Sequence, residues 1–238
     1  MHTDIRLISD PSLSVQIRGL PFSGLPLCPS MSSVVKPDES LRYHRCMRLA
    51  QQLQFILELD KLKTVLRRNL LSDGSRVENS AEHSWHLAAM AGLLAEYAAE
   101  PVDVMRVTRM LLVHDVVEID AGDTYAYDPA ANVGRAEREE IAARRVFGLL
   151  PPDQAGELRQ LWDEFEAVET AESRYANALD RLQPLILNFH SRGESWRRHG
   201  VTAAQVRERM RPIQTGAPEL WSVVEDLLKQ AVERGYLS

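Results

Sequence analysis

Apolar residues recur every three or four positions along most of the chain from about residue 37 onward. This spacing predicts amphipathic helices, and no stretch alternates between apolar and polar residues as a half-buried strand does. The pattern therefore predicts an all-α fold, a helical bundle of about eight helices. These helices fall near residues 38–59, 80–99, 101–118, 134–149, 152–170, 171–191, 202–211 and 217–234.

Several predicted helices begin at residues that favour helix starts. Asn79 is followed three positions later by Glu82, which is the pattern of a capping box. Pro101 fits the first turn of the next helix, where its missing N–H costs nothing. Polar segments at 61–79 and 119–133 are predicted to be loops.

Residues 1–36 are rich in Ser, Pro and Gly and show no sustained period. We expect them to form a poorly ordered N-terminal extension, and residues 37–238 to form a single domain. Met31 is an alternative start of the chain, which the sequence leaves open.

Composition narrows the functional class. Of the 238 residues, 45% are hydrophobic and 26% are charged, as in ordinary globular proteins. The net charge of -6 and the isoelectric point near 5.7 argue against a nucleic-acid polymer as partner, because no uniformly basic field is available to neutralise phosphates.

Sequence signals for a membrane or a secretory route are missing. No apolar run approaches the roughly 18 residues that a membrane span needs, and the first residues lack the layout of a secretory signal. The two cysteines, Cys28 and Cys46, do not form a CxxC pair. This usage excludes a cysteine-based zinc site and indicates a reducing compartment, so we expect a cytoplasmic protein.

The sequence LLVHDVVE at positions 111–118 places an adjacent His114 and Asp115 in an apolar helical pattern, with Glu118 one turn later. Burying a carboxylate beside an imidazole costs several kcal/mol unless something compensates, and a metal ion is a common compensation. On a helix, residues three and four apart share a face, so the three side chains can face one pocket.

Two further side chains could complete a metal site with this pair. His83 lies near the start of the predicted helix at 80–99, and Asp180 lies in an otherwise apolar face of the helix at 171–191. Together with His114 and Asp115 they would give two imidazoles and two carboxylates. That set suits Mn, Fe, Co, Ni or Zn and leaves positions open for water and substrate.

Four ordered segments resemble the HD-domain metal-dependent phosphohydrolases, in the branch that includes the 5'-deoxynucleotidases. Three segments match clearly: AEHSW at 81–85, HDVVE at 114–118 with GD at 122–123, and DRLQP at 180–184. The fourth, LKTVLR at 62–67, is a weaker match. The resemblance covers roughly residues 40–200. It implies the HD-domain helical fold and the metal ligands His83, His114, Asp115 and Asp180.

The resemblance also implies roles around one divalent metal ion (Mn, Co, Fe, Ni, Zn or Mg). Glu118 and Asp123 correspond to the carboxylates that move protons in the family, and Arg67 corresponds to an arginine that contacts the substrate phosphate. Similar proteins often form homodimers, so we expect a homodimer here. No histidine occurs between His114 and His190, which favours one metal over two.

The sequence also departs from the family pattern. The deoxynucleotidases carry an aromatic residue soon after the arginine that Arg67 matches, whereas here no aromatic residue lies between Arg67 and Trp85. Tyr125 and Tyr127 are candidates to supply a stacking surface instead. Arg76 and Glu78 are expected to form an arginine–carboxylate brace.

These observations lead to the hypothesis of a phosphohydrolase that cleaves a nucleoside (deoxy) 5'-monophosphate through a metal-activated water. Two alternatives stay open at this point. One is hydrolysis of a larger nucleotide with removal of pyrophosphate, and the other is a non-catalytic module that binds a nucleotide.

Overall fold

The computed structural model describes residues 37–238. The predicted extension at 1–36, with Cys28 and Met31, lies outside the described residues. Contacts within the chain divide it into two units, residues 1–51 and 52–238. The described part of the first unit is helical, and the second unit contains every predicted site residue.

Helices dominate the part of the chain that the structure describes, and eight of them have seven or more residues. The prediction of an all-α fold with about eight helices is confirmed. The helices are α1 Pro37–Leu59, α2 Ser80–Leu93, α3 Val104–Val113, α4 Glu118–Ala121, α5 Pro129–Asn132, α6 Arg135–Phe147, α7 Pro152–Ala167, α8 Ala171–His190, α9 Glu194–His199, α10 Ala203–Arg209, α11 Pro212–Gly216 and α12 Trp221–Glu233.

A small antiparallel sheet lies where the sequence predicted a loop. Its strands are β1, Leu66–Leu70, and β2, Val77–Asn79. The expectation of no strand was wrong because both strands are too short and too polar to show an alternating pattern. Gly74, with φ +73°, forms part of the turn between them, a conformation that glycine adopts without strain.

The helix predicted at 101–118 is shorter than expected at both ends. Pro101 lies before α3 and not in its first turn, because Asp103 caps the helix: its side chain accepts hydrogen bonds from two backbone N–H groups of the first turn. After Val113 the backbone changes to tighter turns, in which Glu118 N donates to Asp115 O at 2.9 Å. His114 and Asp115 therefore lie at the C-terminal end of α3 and not inside a long helix.

Helix α8 is the centre of the larger unit. Most of its residues are buried, and it packs against α2, α3, α7, α11 and α12. Helix α11 approaches it so closely that a Cβ atom on Gly216 would lie 2.1 Å from the carbonyl oxygen of Arg174. This central position brings the middle of α8, with Asp180, against the ends of α2 and α3.

Within residues 37–238, no helix is both long enough and apolar enough to cross a membrane.

Candidate metal centre

The four predicted ligands come together from three helices. His83 lies in the first turn of α2, His114 and Asp115 follow α3, and Asp180 lies in the middle of α8; all four are buried. One ligand atom from each of His83, His114 and Asp115 lies within 4.8 Å of the other two. Asp180 Oδ1 lies 2.9 Å from Nε2 of His83 and 3.7 Å from Nε2 of His114.

The start of α2 fixes the position of His83. The predicted capping box is present: Glu82 N donates to Asn79 Oδ1 at 3.0 Å, and Asn79 N donates to the Glu82 carboxylate at 3.2 Å. These bonds satisfy backbone N–H groups that the first turn leaves without helical partners. His83 follows directly and is fully buried.

Asp180 lies one turn before a proline within α8. Pro184 has no backbone N–H, so the helical hydrogen bond to the carbonyl of Asp180 cannot form. The side chain of Asp180 accepts a hydrogen bond from Arg181 Nη1 at 2.5 Å. Burial opposes its charge, but Arg181 and the two histidines lower the pKa of Asp180 well below its usual value, which keeps it ionised.

The ring of His114 is oriented by its own helix. Its Nδ1 lies 2.8 Å from the carbonyl oxygen of Leu111, which can only accept a hydrogen bond. Nδ1 therefore carries the proton, and Nε2 presents its lone pair to the cluster. This Nε2 atom is buried and makes no hydrogen bond to any residue that the structure describes, although Asp115 Oδ1 is 3.0 Å away.

The ring of His83 is oriented by a side chain of α8. Its Nδ1 lies 3.1 Å from Oε1 of Gln183, whose amide nitrogen donates to Glu78 Oε1 at 2.6 Å. Because the Glu78 carboxylate accepts from the amide nitrogen, the amide oxygen must face His83 and accept its proton. The lone pair on Nε2 then points toward Asp180.

This arrangement fits a divalent cation. Two imidazole lone pairs face two carboxylates across buried distances of 2.9 to 3.9 Å, and such a group of acceptors needs a positive charge between them. A proton on His114 can supply part of that charge. Burial opposes this protonation, yet the charges of Asp115 and Asp180 raise the pKa of His114 to about 9. A metal ion bound by nitrogen and oxygen ligands supplies it fully.

Glu118 lies next to the four ligands without joining them. It is buried, and its Oε2 accepts a hydrogen bond from Ser80 Oγ at 2.6 Å. Burial and, next, the charge of Asp115 raise the pKa of Glu118 to about 8. A carboxyl group with a pKa near neutrality can both accept and donate a proton.

Arg67 and Asp123 are the remaining two predicted site residues. Arg67 Nη1 donates to Asp115 Oδ2 at 2.7 Å and lies 3.9 Å from Asp123 Oδ1. The Arg67 Nε atom is buried and makes no hydrogen bond within the described part of the chain. Burial is the main cause that raises the pKa of Asp123, and the Arg67 guanidinium opposes that effect.

These residues lie in or beside a cleft that opens to solvent. Asp115, Glu118, Asp123 and Asp180 line it on one side, and the rings of Tyr125 and Tyr127 also line it. The two rings meet edge to face with centroids 5.5 Å apart. The structure thus places all seven predicted site residues in or beside one cleft.

Sequence reasoning missed the residues that support the site. Gln183 and Ser80 orient His83 and Glu118. Gln183 lies within the DRLQP segment, but no role was predicted for it, and no motif marks Ser80. The expected brace between Arg76 and Glu78 was wrong. Arg76 pairs instead with Glu82, at 2.6 Å, because both lie at the surface, whereas Glu78 is buried between Gln183 and the Arg67 guanidinium.

Known proteins similar to this chain include two curated relatives named 5'-deoxynucleotidase HDDC2. The one from Homo sapiens is 30% identical over 56% of this chain and 65% of its own length. The one from Bos taurus is 33% identical over 56% of this chain and 64% of its own length. The matched region thus spans somewhat less than two thirds of each relative.

A solved structure is similar along most of the chain. It is described as a predicted metal-dependent phosphohydrolase from Magnetospirillum magnetotacticum MS-1, and it is 56% identical with a TM-score of 0.76. The likeness covers 81% of this chain and 99% of that chain. A family model described as HD domain matches residues 59–221, which include all the predicted site residues. This chain therefore belongs to the HD-domain family.

Proposed function

We propose that this protein is a metal-dependent phosphohydrolase that converts a nucleoside 5'-monophosphate, including the deoxy form, and water into the nucleoside and phosphate. The observation that carries this proposal is the convergence of two buried imidazole Nε2 atoms with two carboxylates, Asp115 and Asp180, that line an open cleft. Glu118 and Arg67 line the same cleft. The relatives named 5'-deoxynucleotidase support the choice of substrate.

His83, His114, Asp115 and Asp180 would hold one divalent cation in each subunit. When bound, such an ion lowers the pKa of a water ligand toward neutrality and offsets negative charge on the phosphoryl oxygens. The ligand set is compatible with Mn, Fe, Co, Ni, Zn or Mg, and metal availability decides among them. Leu111 and Gln183 hold the two rings so that their Nε2 atoms would be available to such an ion.

Glu118 would carry the proton of the reaction. A water oxygen forms the new bond to phosphorus, and the ester bond between phosphorus and the 5' oxygen breaks. Glu118 accepts the proton that the water loses and delivers it to the leaving 5' oxygen, so that charge and atoms balance. Ser80 holds the Glu118 carboxyl group in place for both transfers. Asp123, which lines the same cleft, would assist the proton transfer.

Arg67 would bind the phosphate that reacts. Its buried Nε donor lies 3.7 Å from Glu78 Oε2 but makes no hydrogen bond to a described residue, and a phosphate oxygen would satisfy it. The planar guanidinium suits phosphate because its donors are fixed in a fork. Tyr125 and Tyr127 would supply an aromatic surface for the nucleoside.

A homodimeric state and a cytoplasmic location belong to the same proposal. Exposed apolar side chains on α2, Trp85 and Leu93, offer a surface on which a second copy could pack. Light scattering on the purified chain tests the dimer. The acidic composition and the low cysteine content support the location.

Substitution of Glu118 by Gln separates catalysis from nucleotide sensing. We expect Glu118→Gln to lower kcat by about 100-fold or more while metal and nucleotide binding persist. Glu137→Gln, on the exposed face of α6, is the matched control and should retain activity. A wild-type protein that binds nucleotide and metal but releases no phosphate would contradict the proposal.

A further inference from the structure

Arginine side chains line much of the cleft beyond the candidate metal centre. Five contribute to its walls: Arg67, Arg68, Arg135, Arg181 and Arg209. Three of them are paired with acidic groups. Arg67 bonds Asp115 at 2.7 Å, Arg135 bonds Glu139 at 2.6 Å and Arg181 bonds Asp180 at 2.5 Å. The proposed reaction gives a role to Arg67 alone among the five.

Arg209 is the least satisfied of these arginines. It is the last residue of α10, it is half-buried, and it makes no hydrogen bond or ion pair with any residue in the described range 37–238. Burial and, next, the nearby Arg181 guanidinium lower the pKa of Arg209 to about 10, so it remains positively charged at neutral pH. A desolvated cation without a counter-ion is costly, and a bound anion would remove that cost.

Arg181 offers a second free donor in the same region. Its Nη1 bonds Asp180 at 2.5 Å, but its Nε is buried and makes no hydrogen bond to a described residue. The two guanidiniums are close enough for the charge on one to affect the other. Both therefore have unused capacity for hydrogen bonds to an anion.

The charges divide the cleft into two regions. Around Arg67 the strongest electrostatic neighbours are the carboxylates Asp115, Glu118 and Asp123. Around Arg209 the neighbours are, in order of effect, Arg181, Asp180, the phenol of Tyr127 and Arg135. Arg67 thus has mainly carboxylates around it, whereas Arg209 has two guanidiniums and one carboxylate, Asp180, which is already bonded to Arg181.

We propose that Arg181 and Arg209 form a second anion subsite, which binds a second phosphate group of a doubly phosphorylated nucleotide. This inference rests on the proposed function: the first phosphate lies at the metal centre with Arg67, and the second lies on the part of the substrate that leaves. Guanidinium pairs suit phosphate because each presents parallel N–H donors to two oxygens. Both arginines line the same open cleft as Arg67 and Asp180.

Equilibrium binding tests the subsite without relying on turnover. Titration calorimetry on the full chain carrying Glu118→Gln would compare three probes: adenosine 5'-monophosphate, adenosine 3',5'-bisphosphate and adenosine 5'-diphosphate. We expect at least one doubly phosphorylated probe to bind about tenfold more tightly than the monophosphate. The 3',5'-bisphosphate carries its second phosphate on the sugar, whereas the 5'-diphosphate carries it on the first phosphate. Comparison of these two probes therefore shows which position the subsite binds.

Arg209→Gln should reduce that preference to about twofold or less, and Arg209→Lys, which keeps the charge but lacks the fixed fork of donors, should retain only part of it. The matched control is Arg207→Gln on the same helix, since Arg207 is exposed and pairs with Glu225 outside the cleft. This control should leave the preference unchanged. Thermal melting establishes that each variant is folded.

Two results would overturn the subsite. One is equal affinity for all three probes, and the other is a loss of monophosphate affinity in Arg209→Gln as large as the loss for the bisphosphates. The second result would assign Arg209 to the phosphate that reacts. Phosphate release by the wild-type chain is measured in parallel, so that failure of the phosphohydrolase is seen separately from failure of the subsite.

Discussion

The carbonyl oxygen of Leu111 lies 2.8 Å from Nδ1 of His114, three residues later at the end of the same helix. This contact fixes the tautomer of the imidazole and turns its Nε2 lone pair toward Asp115 and Asp180. Gln183 does the same for His83 from a different helix. The candidate metal centre is therefore oriented before any ion binds, which reduces the cost of binding one.

Gln183→Met should weaken metal binding without removing a ligand. The substitution keeps the volume of the side chain but removes the acceptor that orients the His83 ring, and loss of such a contact costs roughly 10- to 100-fold in metal affinity. Competition with a metal-sensitive dye measures the dissociation constant. Gln214→Met, at an exposed position of α11, is the control. Equal affinity of Gln183→Met and wild type would show that Gln183 does not orient His83.

Asp180→Asn should abolish the stabilisation that metal gives to the wild-type protein. An ion that binds only the folded chain stabilises it by about 2.7 kcal/mol at 100 times its dissociation constant. We expect Mn or Co to raise the thermal midpoint of the wild type and a chelator to reverse the shift. The variant should melt at the same temperature with and without metal. A shift of the same size in both proteins would place the ion elsewhere.

Glu164→Gln should lower stability at neutral pH but not in acid. Burial opposes the charge of Glu164, yet hydrogen bonds from Arg106 and Thr170 lower its pKa below 4.5. A carboxylate with a lowered folded pKa stabilises the protein above its unfolded pKa, and that contribution is lost as the pH falls through the folded value. We expect a loss of about 1 kcal/mol at pH 7 that disappears in acid.

Urea unfolding at neutral and acidic pH measures this difference. The matched control is Glu157→Gln, which breaks an exposed ion pair with Arg109 between the same two helices, α3 and α7. Exposed pairs contribute little, so the control should change stability by less than about 0.5 kcal/mol. A loss for Glu164→Gln that is independent of pH would show that its charge is not what stabilises the fold.

Asn79→Ala should destabilise the start of α2 and with it the position of His83. Removal of an N-cap side chain costs about 1 kcal/mol, and serine at the same position restores most of the loss. Chemical unfolding of both variants measures the difference. If Ala and Ser lowered stability equally, the side-chain acceptor would not be what caps the helix.

The sequence was most informative where a local pattern determines a local structure. The capping box at Asn79 and Glu82 and the helix that carries Asp180 follow from residues within one or two turns of each other. The candidate ligands were identified through residue type and order, and the structure brings them within reach of one another. Such features depend little on the rest of the chain.

Features that depend on tertiary contacts could not be predicted. The hairpin from β1 to β2 is stabilised by its location beside α8 and not by a strand pattern of its own. Gln183 orients His83 across 100 positions of sequence. Arg181 and Arg209 line one cleft only because the tertiary fold brings them there from α8 and α10, and nothing in their local sequence indicates it.

Phosphate release tests the central claim most directly. The metal-stripped chain would be supplied with Mn, Co, Ni, Mg or Zn and a panel of deoxy- and ribonucleoside 5'-monophosphates, with Asp115→Ala as the inactive variant and Asp120→Ala, an exposed acid in α4, as its matched control. We expect metal-dependent release in the wild type and in Asp120→Ala, and none in Asp115→Ala. If a wild-type protein that demonstrably binds metal released no phosphate from any nucleotide of the panel, that result would contradict the monophosphatase function.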